Sequence, residues 1–499
     1  MLPLLPPLPP LPSLPPLPLP ALLALGALLA LAAWRRLRGP PEGGGRTPPR
    51  ALPGPPALPL LGGAPHLLHP AAPRHLGALA RRYGPALRLR LGGGDVVVLS
   101  SVETIREAFG RRWGACAGRP PSYLAGLVSR GGQDLALGDV SPGWRRQRRA
   151  TRDALVRAQR RLDAILERQA QALCQDFRRY RGAPVDVAED FAFRTCSTIC
   201  SLIFGHLMPP EAEVRDFTRC IMGLLELWGR ASVRVLDLLP PLRVLPNPTL
   251  RELLRLVERR DAFVQAQLQR HEVGAQASGG GGQVPRRDPG VGLWPDPGIR
   301  GGPLGPDRLH MALVDLFIGG TETTAAALGW AVAFLLHRPE VAAGVRAQLA
   351  EEPGGHRGLL GATVSETLRL RPPAPLALPH RACTHTSIAG VPVPRNSLLI
   401  PNLFAAHHDP DKWHRPEDFL PERFLEEGPG RALVPFGCGA RACLGEGLAR
   451  AELLVFLGHI LRNFRLEPPA PGVLPSLEVT AGTVLRCPPF RVRLIALEP

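Results

Sequence analysis

The sequence of 499 residues has almost no lysine. Lys412 is the single lysine, and the other 59 of the 60 basic residues are arginines, which against 43 acidic residues give a formal net charge of +17. A charge of this size favours a nucleic-acid partner. The sequence has no zinc-finger spacing, aromatic-rich RNA-binding motif or lysine-rich tail, however, and arginine, glycine, proline and alanine share GC-rich codons. We therefore attribute much of the arginine excess to base composition and expect no nucleic-acid partner.

The cysteines are too few and too scattered for a disulfide framework. Nine of them, an odd number, lie far apart in the chain, which is typical of a reducing compartment. A strict glycine period is also absent, which excludes a collagen. Hydrophobic residues make up 45% of the chain and fall in long periodic segments, which excludes general disorder and predicts a large core.

Charged residues are absent from the first 34 positions, where ten of the first 20 residues are prolines. The proline-free run 21–34 is followed by Arg35, Arg36 and Arg38. A cleaved signal peptide has its basic residues before the apolar run, whereas here they follow it. The pattern predicts a signal-anchor with its arginines on the cytosolic side.

The composition divides the chain into three parts. We assign residues 1–38 to a proline-rich leader and anchor, 39–60 to a Pro/Gly-rich linker, and 61–499 to one large domain. Within that domain, the Gly/Pro-rich stretch 274–306 is expected to be a mobile loop.

Helical periodicity dominates the large domain. Amphipathic patterns run from about 101 to 273, and a long apolar helix is predicted from Asp307 onward. Residues 87–99 read as strand–turn–strand, and 383–402 as short strands and turns. The sequence therefore predicts a mainly α fold with small β-sheets, in the α+β class.

A glycine-rich cysteine loop occupies residues 436–445, with the sequence FGCGARACLG, before a helical stretch at 446–464. Its glycines fit a dinucleotide fingerprint, but that motif needs a preceding strand and a βαβ unit. Cys438 and Cys443 are five positions apart without a second ligand pair, which is poor for zinc. A thiolate metal ligand at a helix N-terminus fits better, because the following amides point at the sulfur.

In that interpretation, the residues near Cys443 accommodate a large flat cofactor. Gly439 and Gly445 let the backbone pass close to it, Arg441 meets an anionic group, and Phe436 shields the sulfur from water.

The loop matches F-x-x-G-x-R-x-C-x-G at every fixed position and thereby resembles the haem-binding signature of the cytochrome P-450 family. The resemblance covers about residue 50 to the end. It implies a haem-thiolate monooxygenase domain that carries haem b, with Cys443, and not Cys438, as the axial ligand of the iron.

A second motif lies within the long predicted helix, where residues 319–324 read GGTETT. A capping box at a new helix is one interpretation, but the apolar period continues on both sides. In the P-450 family this segment resembles the oxygen-binding motif. The resemblance implies that Thr323 hydrogen-bonds dioxygen and that Glu322 relays protons.

Further motifs resemble family elements that support the haem. Glu366 and Arg369 fit E-x-x-R, and Arg423 lies in the downstream P-E-R-F run; the family implies a buried ionic network, although such a pair alone is usually solvated. Haem propionate contacts are implied for four more residues, which are Arg119, Trp144, Arg148 and His380.

Within the family, several strings are most similar to its steroid-hydroxylating branch, including LGDVS (137–141), TCSTIC (195–200) and PLALPHR (375–381). That similarity implies hydroxylation of progesterone and its 17-hydroxy derivative at C21, with C17 hydroxylation as the runner-up. Arg260 aligns with the family arginine that binds the steroid 3-ketone. The remaining expected lining residues are Leu135, Leu137, Val314, Asp315 and Leu378.

The resemblance also implies partners and a location. Electrons are expected from NADPH–cytochrome P-450 reductase, because no NADPH-binding motif is present, and dioxygen and membrane lipid are the other partners. An endoplasmic reticulum membrane protein with a cytosolic catalytic domain is expected.

Another lipophile hydroxylase of the same fold and a non-catalytic haem binder are the alternatives. The sequence departs from the family pattern in the stretch 351–365, which looks shorter than the family norm.

Overall fold

The computed structural model describes residues 52–58, 61–91, 94–277, 304–351, 358–426, 428–479 and 482–497. The anchor assigned to 1–38, most of the linker at 39–60 and most of the expected loop at 274–306 lie outside these residues.

Helices make up most of the described chain. The α-helices are α1 Ala64–Leu67, α2 Ala72–Tyr83, α3 Val102–Ile105, α4 Trp113–Cys116, α5 Tyr123–Val128, α6 Pro142–Arg179, α7 Ala188–Phe204, α8 Glu211–Gly229, α9 Ala231–Leu238, α10 Pro248–Ala277, α11 Pro306–His337, α12 Pro339–Glu351, α13 Leu359–Leu370, α14 Leu403–His407 and α15 Glu446–Asn463. A π-helical segment, Arg106–Arg111, continues α3. Short 3-10 helices are Gly205–Leu207, Pro240–Val244, Pro421–Phe424, Pro429–Ala432 and Gly439–Arg441.

The strands form three small sheets. They are β1 Ala86–Leu91, β2 Gly94–Leu99, β3 His380–Arg381, β4 Thr386–Ile388, β5 Val391–Val393, β6 Leu398–Pro401, β7 Phe464–Glu467 and β8 Arg493–Ala496. The largest sheet has the order β1-β2-β6-β3, in which β2 and β6 are parallel and the other pairs antiparallel. The prediction of a mainly helical fold with small sheets is confirmed.

Helix α11 is the central helix of the core. Every residue from Ala327 to Leu336 is buried, and a helix that is buried all round belongs in the interior of a protein. By length and composition it is the one helix of the described residues that could cross a membrane, yet most of its apolar stretch is buried inside the protein. It continues without a break through 319–324, so the capping-box interpretation of that segment is wrong.

Candidate functional site

The cysteine loop, 436–445, contains the 3-10 helix Gly439–Arg441 and ends where α15 begins. The Cys443 amide donates a hydrogen bond to the Phe436 carbonyl at 2.9 Å, which closes the loop. Gly439 has a φ of +71°, and a Cβ there would lie 1.7 Å from the Phe109 carbonyl oxygen, so only glycine fits. The loop is preceded by 3-10 turns, not by the strand that a dinucleotide fingerprint needs.

The two loop cysteines differ in their surroundings. Cys443 has an accessible surface, whereas Cys438 is half-buried with its Sγ 3.7 Å from the Ile105 carbonyl oxygen. Partial desolvation by the surrounding protein raises the pKa of the Cys443 thiol, while the Gly445 amide and Arg148 act in the opposite direction. In the described part of the chain, no group of three or more His, Cys, Asp or Glu residues is placed to hold a metal ion, so the zinc interpretation finds no ligand set.

One face of α11 is accessible although the helix is central. Asp315, Gly319 and Thr323 are four residues apart, lie on one face and retain accessible surface. Apart from the adjoining backbone of α11 itself, no heavy atom lies within 4 Å of the position where a Gly319 Cβ would stand. The helix therefore borders open interior space at the point where the GGTETT segment begins.

Leu135 connects this helix face to the cysteine loop. Its amide donates to Asp315 Oδ2 at 2.6 Å, and its carbonyl accepts from Arg441 Nη1 at 2.9 Å and from Trp144 Nε1 at 3.0 Å. Residues expected to touch a substrate and residues expected to touch a cofactor therefore meet at one backbone segment, 134–138.

Arginines that carry the expected propionate contacts gather around that segment. Arg441 donates to the carbonyls of Leu135 and Gly138 at 2.9 and 2.8 Å, and its guanidinium lies 4.1 Å from the Trp144 ring centre. Arg119 donates to the carbonyls of Ala136, Leu378 and Pro379 at 2.7–3.0 Å.

The electrostatics of these arginines favour an anion. Burial, with repulsion from Arg441, lowers the pKa of Arg119 to about 9, and burial lowers the pKa of Arg441 to about 10. Burial also lowers the pKa of Arg148, which donates to the Ala442 carbonyl. Three desolvated cations held mainly by neutral carbonyls fit a cofactor with carboxylates, because ionic hydrogen bonds are the stronger ones. The site thus fits the two propionates of haem.

His380 lies beside this cluster as a neutral imidazole. Burial, with the nearby charge of Arg119, lowers its pKa well below the usual range. Its Nδ1 is 3.0 Å from the Cys116 carbonyl oxygen, and its ring is 4.2 Å from the Phe109 ring, centre to centre. A neutral ring with one nitrogen engaged leaves the other for a polar group of a ligand.

Glu322 and Thr323 occupy different environments on α11. Thr323 Oγ1 donates to the Gly319 carbonyl at 2.6 Å, on the accessible face. Glu322 is 1% exposed; its Oε1 accepts from Arg486 Nε, and its Oε2 has no hydrogen-bond partner within the described residues. Burial raises the pKa of Glu322, while the bond to Arg486 lowers it.

The residues expected to line a substrate slot fall into two groups. Leu137 and Val314 pack in or against one apolar cluster, in which Val314 is buried, and Leu135 is buried as well. Asp315 is polar, and burial, together with the charge of Asp134, raises its pKa well above the usual range. Leu378 contributes its carbonyl to Arg119.

Arg260 is enclosed at the edge of that cluster. It is 1% exposed, donates Nε–H to Asp261 Oδ1 at 2.7 Å and donates Nη2–H to the Val128 carbonyl at 2.8 Å. Its charge opposes the effect of burial on Asp315, whose pKa is nonetheless raised.

Glu366, Arg369 and Arg423 come together behind the cysteine loop. Arg369 binds both oxygens of Glu366, at 2.7 and 2.8 Å, and Arg423 Nε lies 3.2 Å from Glu366 Oε1. Glu366 and Arg369 are fully buried. Arg369 also donates to the carbonyls of His407, Pro416 and Asp418, so the network joins α13 to the meander between 407 and 424.

Two residues of the site could not be identified from the sequence alone. Arg486, which pairs with Glu322, comes from an irregular segment near the C-terminus and is one of 59 arginines. Asp134, whose charge acts on Asp315, is 3% exposed and accepts the Leu137 amide at 2.9 Å. Neither residue has a local sequence pattern that marks it.

Comparison with known proteins gives one family. The family model described as Cytochrome P450 matches residues 52–494. Among curated relatives, steroid 21-hydroxylase of Bos taurus is 43% identical over 456 residues, covering 87% of this chain and 90% of that protein. Steroid 21-hydroxylase of Homo sapiens is 42% identical over 452 residues, covering 87% and 91%.

Solved structures show the same fold. A zebrafish cytochrome P450 with progesterone superposes with a TM-score of 0.71 and 30% identity, over 86% of this chain and 99% of that chain. A zebrafish cytochrome P450 structure with abiraterone gives a TM-score of 0.71 and 29% identity, over 87% and 99%.

Proposed function

This chain belongs to the cytochrome P450 family, and from that premise we propose that it hydroxylates steroids at C21. The proposed reactions convert progesterone and 17-hydroxyprogesterone to 11-deoxycorticosterone and 11-deoxycortisol. Support comes from relatives named steroid 21-hydroxylase at 42–44% identity and from a zebrafish structure with progesterone. The observation that carries the proposal is Leu135, which joins Asp315 on the substrate side to Arg441 on the cofactor side.

Haem b is the proposed cofactor; when bound, it activates dioxygen and supplies the oxidising power for C–H hydroxylation. Cys443 is proposed to ligate the iron as a thiolate. Desolvation of its thiol favours the protonated form, and binding to a metal ion removes the proton. Phe436 and Gly445 flank the sulfur in the loop, where a Cβ on Gly445 would lie 4.0 Å from Cys443 Sγ.

The cofactor's carboxylates are proposed to bind the arginine cluster. Arg119, Arg148 and Arg441 would exchange some backbone carbonyl partners for ionic ones. Trp144 would exchange the Leu135 carbonyl for a carboxylate, since its indole has a single N–H. The Nδ1–H of His380 donates to the Cys116 carbonyl, so its Nε2 would donate to a carboxylate in the protonated ring, which the negative charge of that carboxylate favours.

Proton delivery is proposed for α11. The Thr323 hydroxyl is on the accessible face, so it can exchange the Gly319 carbonyl for an oxygen atom bound there as its acceptor. Glu322 is behind it, and burial raises the pKa of its carboxyl group in spite of the bond to Arg486, which suits a relay group.

The steroid is proposed to lie along the accessible face of α11, against Leu135, Leu137, Val314 and Leu378. Asp315 and Arg260 would provide polar anchors, with Arg260 as donor to the 3-ketone. An apolar slot with a few polar groups is what a steroid requires.

The proposed electron donor is NADPH–cytochrome P450 reductase, since P450 chemistry needs an external source of electrons. Its docking surface is assigned to four exposed arginines near the start of α6, which are Arg145, Arg146, Arg149 and Arg152. We place the protein at the endoplasmic reticulum membrane, held by the anchor at 1–38, with the catalytic domain in the cytosol.

One incubation tests the reaction. The purified full-length protein in lipid is supplied with the reductase, NADPH and progesterone, and the product is identified by mass spectrometry against authentic standards. Formation of the 21-hydroxy product supports the proposal. A 17-hydroxy product would replace it with C17 hydroxylation, and turnover of unrelated lipophiles alone would replace it with a different hydroxylase of the same fold.

A further inference from the structure

Helix α5 is held at both ends by charged side chains from two other helices. At its N-terminus, Asp237 of α9 accepts the Ser122 hydroxyl at 2.7 Å and the Leu124 amide at 3.2 Å. At its C-terminus, Arg260 of α10 donates to the Val128 carbonyl at 2.8 Å. A carboxylate at the N-terminus and a guanidinium at the C-terminus both match the helix dipole.

Asp261 fixes the second of these contacts. Its Oδ1 accepts from Arg260 Nε at 2.7 Å and lies 3.3 Å from His310 Nε2 on α11. Its Oδ2 lies 3.4 Å from Arg130 Nε, in the turn that follows α5. One carboxylate therefore ties α10, α11 and the end of α5 together.

The buried face of α5 covers the apolar region proposed for the steroid. Leu124 and Val128 are buried in the same cluster as Val314 and Phe317, while Leu127 faces outward. An isolated helix of six residues is unstable in water. Its closed position therefore depends on the packing of these two side chains and on the contacts at its ends.

We infer that Asp237 is a positioning residue for substrate binding, because with Arg260 and Asp261 it clamps α5 as a lid over the substrate region. The inference rests on the proposed steroid function. A steroid passing on this side must break the Asp237 contacts or the bond between Arg260 and the Val128 carbonyl. A steroid ketone that binds Arg260 competes with the Val128 carbonyl for the guanidinium. Recognition of the ketone and the position of α5 therefore depend on the same side chain.

The kinetic test uses full-length holoprotein in lipid and progesterone as the probe. Asp237→Asn keeps the size of the side chain and removes its charge. We expect progesterone to dissociate about five- to tenfold faster, measured by stopped-flow loss of the substrate-induced spectral shift. Haem content and the carbon monoxide spectrum should not change. The control is Asp216→Asn, which removes an exposed ion pair to Arg259 on the neighbouring helices. Equal dissociation rates in Asp237→Asn and the wild type overturn the proposal.

A ligand-free measurement separates the lid from the steroid assignment. Amide hydrogen exchange over residues 123–132 should become faster in Asp237→Asn. It should also become faster in Ser122→Ala, which loses one contact to Asp237 together with the N-cap bond from the Ala125 amide. If the wild type binds no progesterone, the proposed function fails, and exchange alone decides whether the clamp exists. Unchanged exchange overturns the clamp. Faster exchange with unchanged progesterone dissociation overturns the role in substrate binding.

Discussion

Glu322 and Arg486, which are 164 residues apart in the chain, form an ion pair beneath the accessible face of α11. Arg486 also donates to the Met222 carbonyl on α8 at 2.9 Å, so the guanidinium is fixed from two sides. Burial alone favours the neutral carboxyl group of Glu322, and Arg486 favours the carboxylate. The protonation of the proposed relay group is therefore set by a residue outside the oxygen-binding motif.

Replacing Arg486 should change the pH dependence of turnover. In Arg486→Gln the Glu322 carboxylate loses its cation, so its pKa rises further. We expect the acid limb of the kcat profile to move to higher pH by about one unit, with lower product yield per NADPH at neutral pH. The control is Arg491→Gln, an exposed arginine in the same part of the chain. An acid limb at the wild-type pH in Arg486→Gln would remove Arg486 from the proton relay.

The assignment of the thiolate to Cys443 has a spectroscopic test. Cys443→Ser should abolish the thiolate-type carbon monoxide spectrum, because a serine hydroxyl does not replace a thiolate ligand. Cys438→Ser is the matched control. It should retain the signal, since Cys438 Sγ faces the Ile105 carbonyl. A thiolate signal that survives in Cys443→Ser and disappears in Cys438→Ser would reverse the assignment.

Local motifs explain why much of the site could be predicted. The loop around Cys443 and the GGTETT segment are continuous in sequence, and each carries its own geometry, such as the positive φ at Gly439. The continuous apolar pattern likewise predicted α11, since such a period needs no knowledge of distant residues. The family membership that followed from these motifs is confirmed.

Partners from distant segments could not be predicted in the same way. Arg486 and Asp237 acquire their roles only when the C-terminal segment and α9 pack against α11 and α5. Nothing in their neighbouring residues distinguishes them from other arginines and aspartates. Arg260 shows the related difficulty, since alignment suggested a substrate contact but not its bonds to Asp261 and Val128.

The buried network behind the cysteine loop should be essential for folding. In Glu366→Ala, Arg369 keeps its charge in a fully buried position without a counter-ion. Breaking one partner of such a pair costs about 3–5 kcal/mol, so we expect low yields of soluble protein with little haem. The control Glu417→Gln removes an exposed pair with Arg74 and should cost at most about 0.5 kcal/mol. Normal haem content in Glu366→Ala would show that the network is dispensable.

The arginine cluster on α6 should determine reductase coupling. Changing Arg145, Arg146, Arg149 and Arg152 to glutamine removes four exposed charges. We expect a higher KM for the reductase, with a weaker dependence on salt because fewer charges are paired in the complex. Substrate-induced spectra should be unchanged, since these side chains face away from the interior. If reductase titrations of the variant and wild type coincide, the docking surface lies elsewhere.

Glu452 on α15 should make the protein less stable at alkaline pH. It is fully buried, and neither carboxyl oxygen accepts a hydrogen bond among the described residues, since the nearby Thr198 hydroxyl donates to the Arg194 carbonyl. Burial raises the pKa of Glu452 from 4.5 to about 8, against a smaller opposing effect of Thr198. Between these two values the unfolded chain releases a proton that the native state keeps, so the free energy of unfolding falls as pH rises through this window. Glu452→Gln keeps the shape of the side chain and removes its ionisable carboxyl group. The urea midpoint of unfolding of this variant should therefore fall less than that of the wild type between about pH 5 and about pH 9. Glu252→Gln, at an exposed position on α10, should retain the wild-type pH dependence. If Glu452→Gln shows the same fall as the wild type, the alkaline instability arises from another buried group.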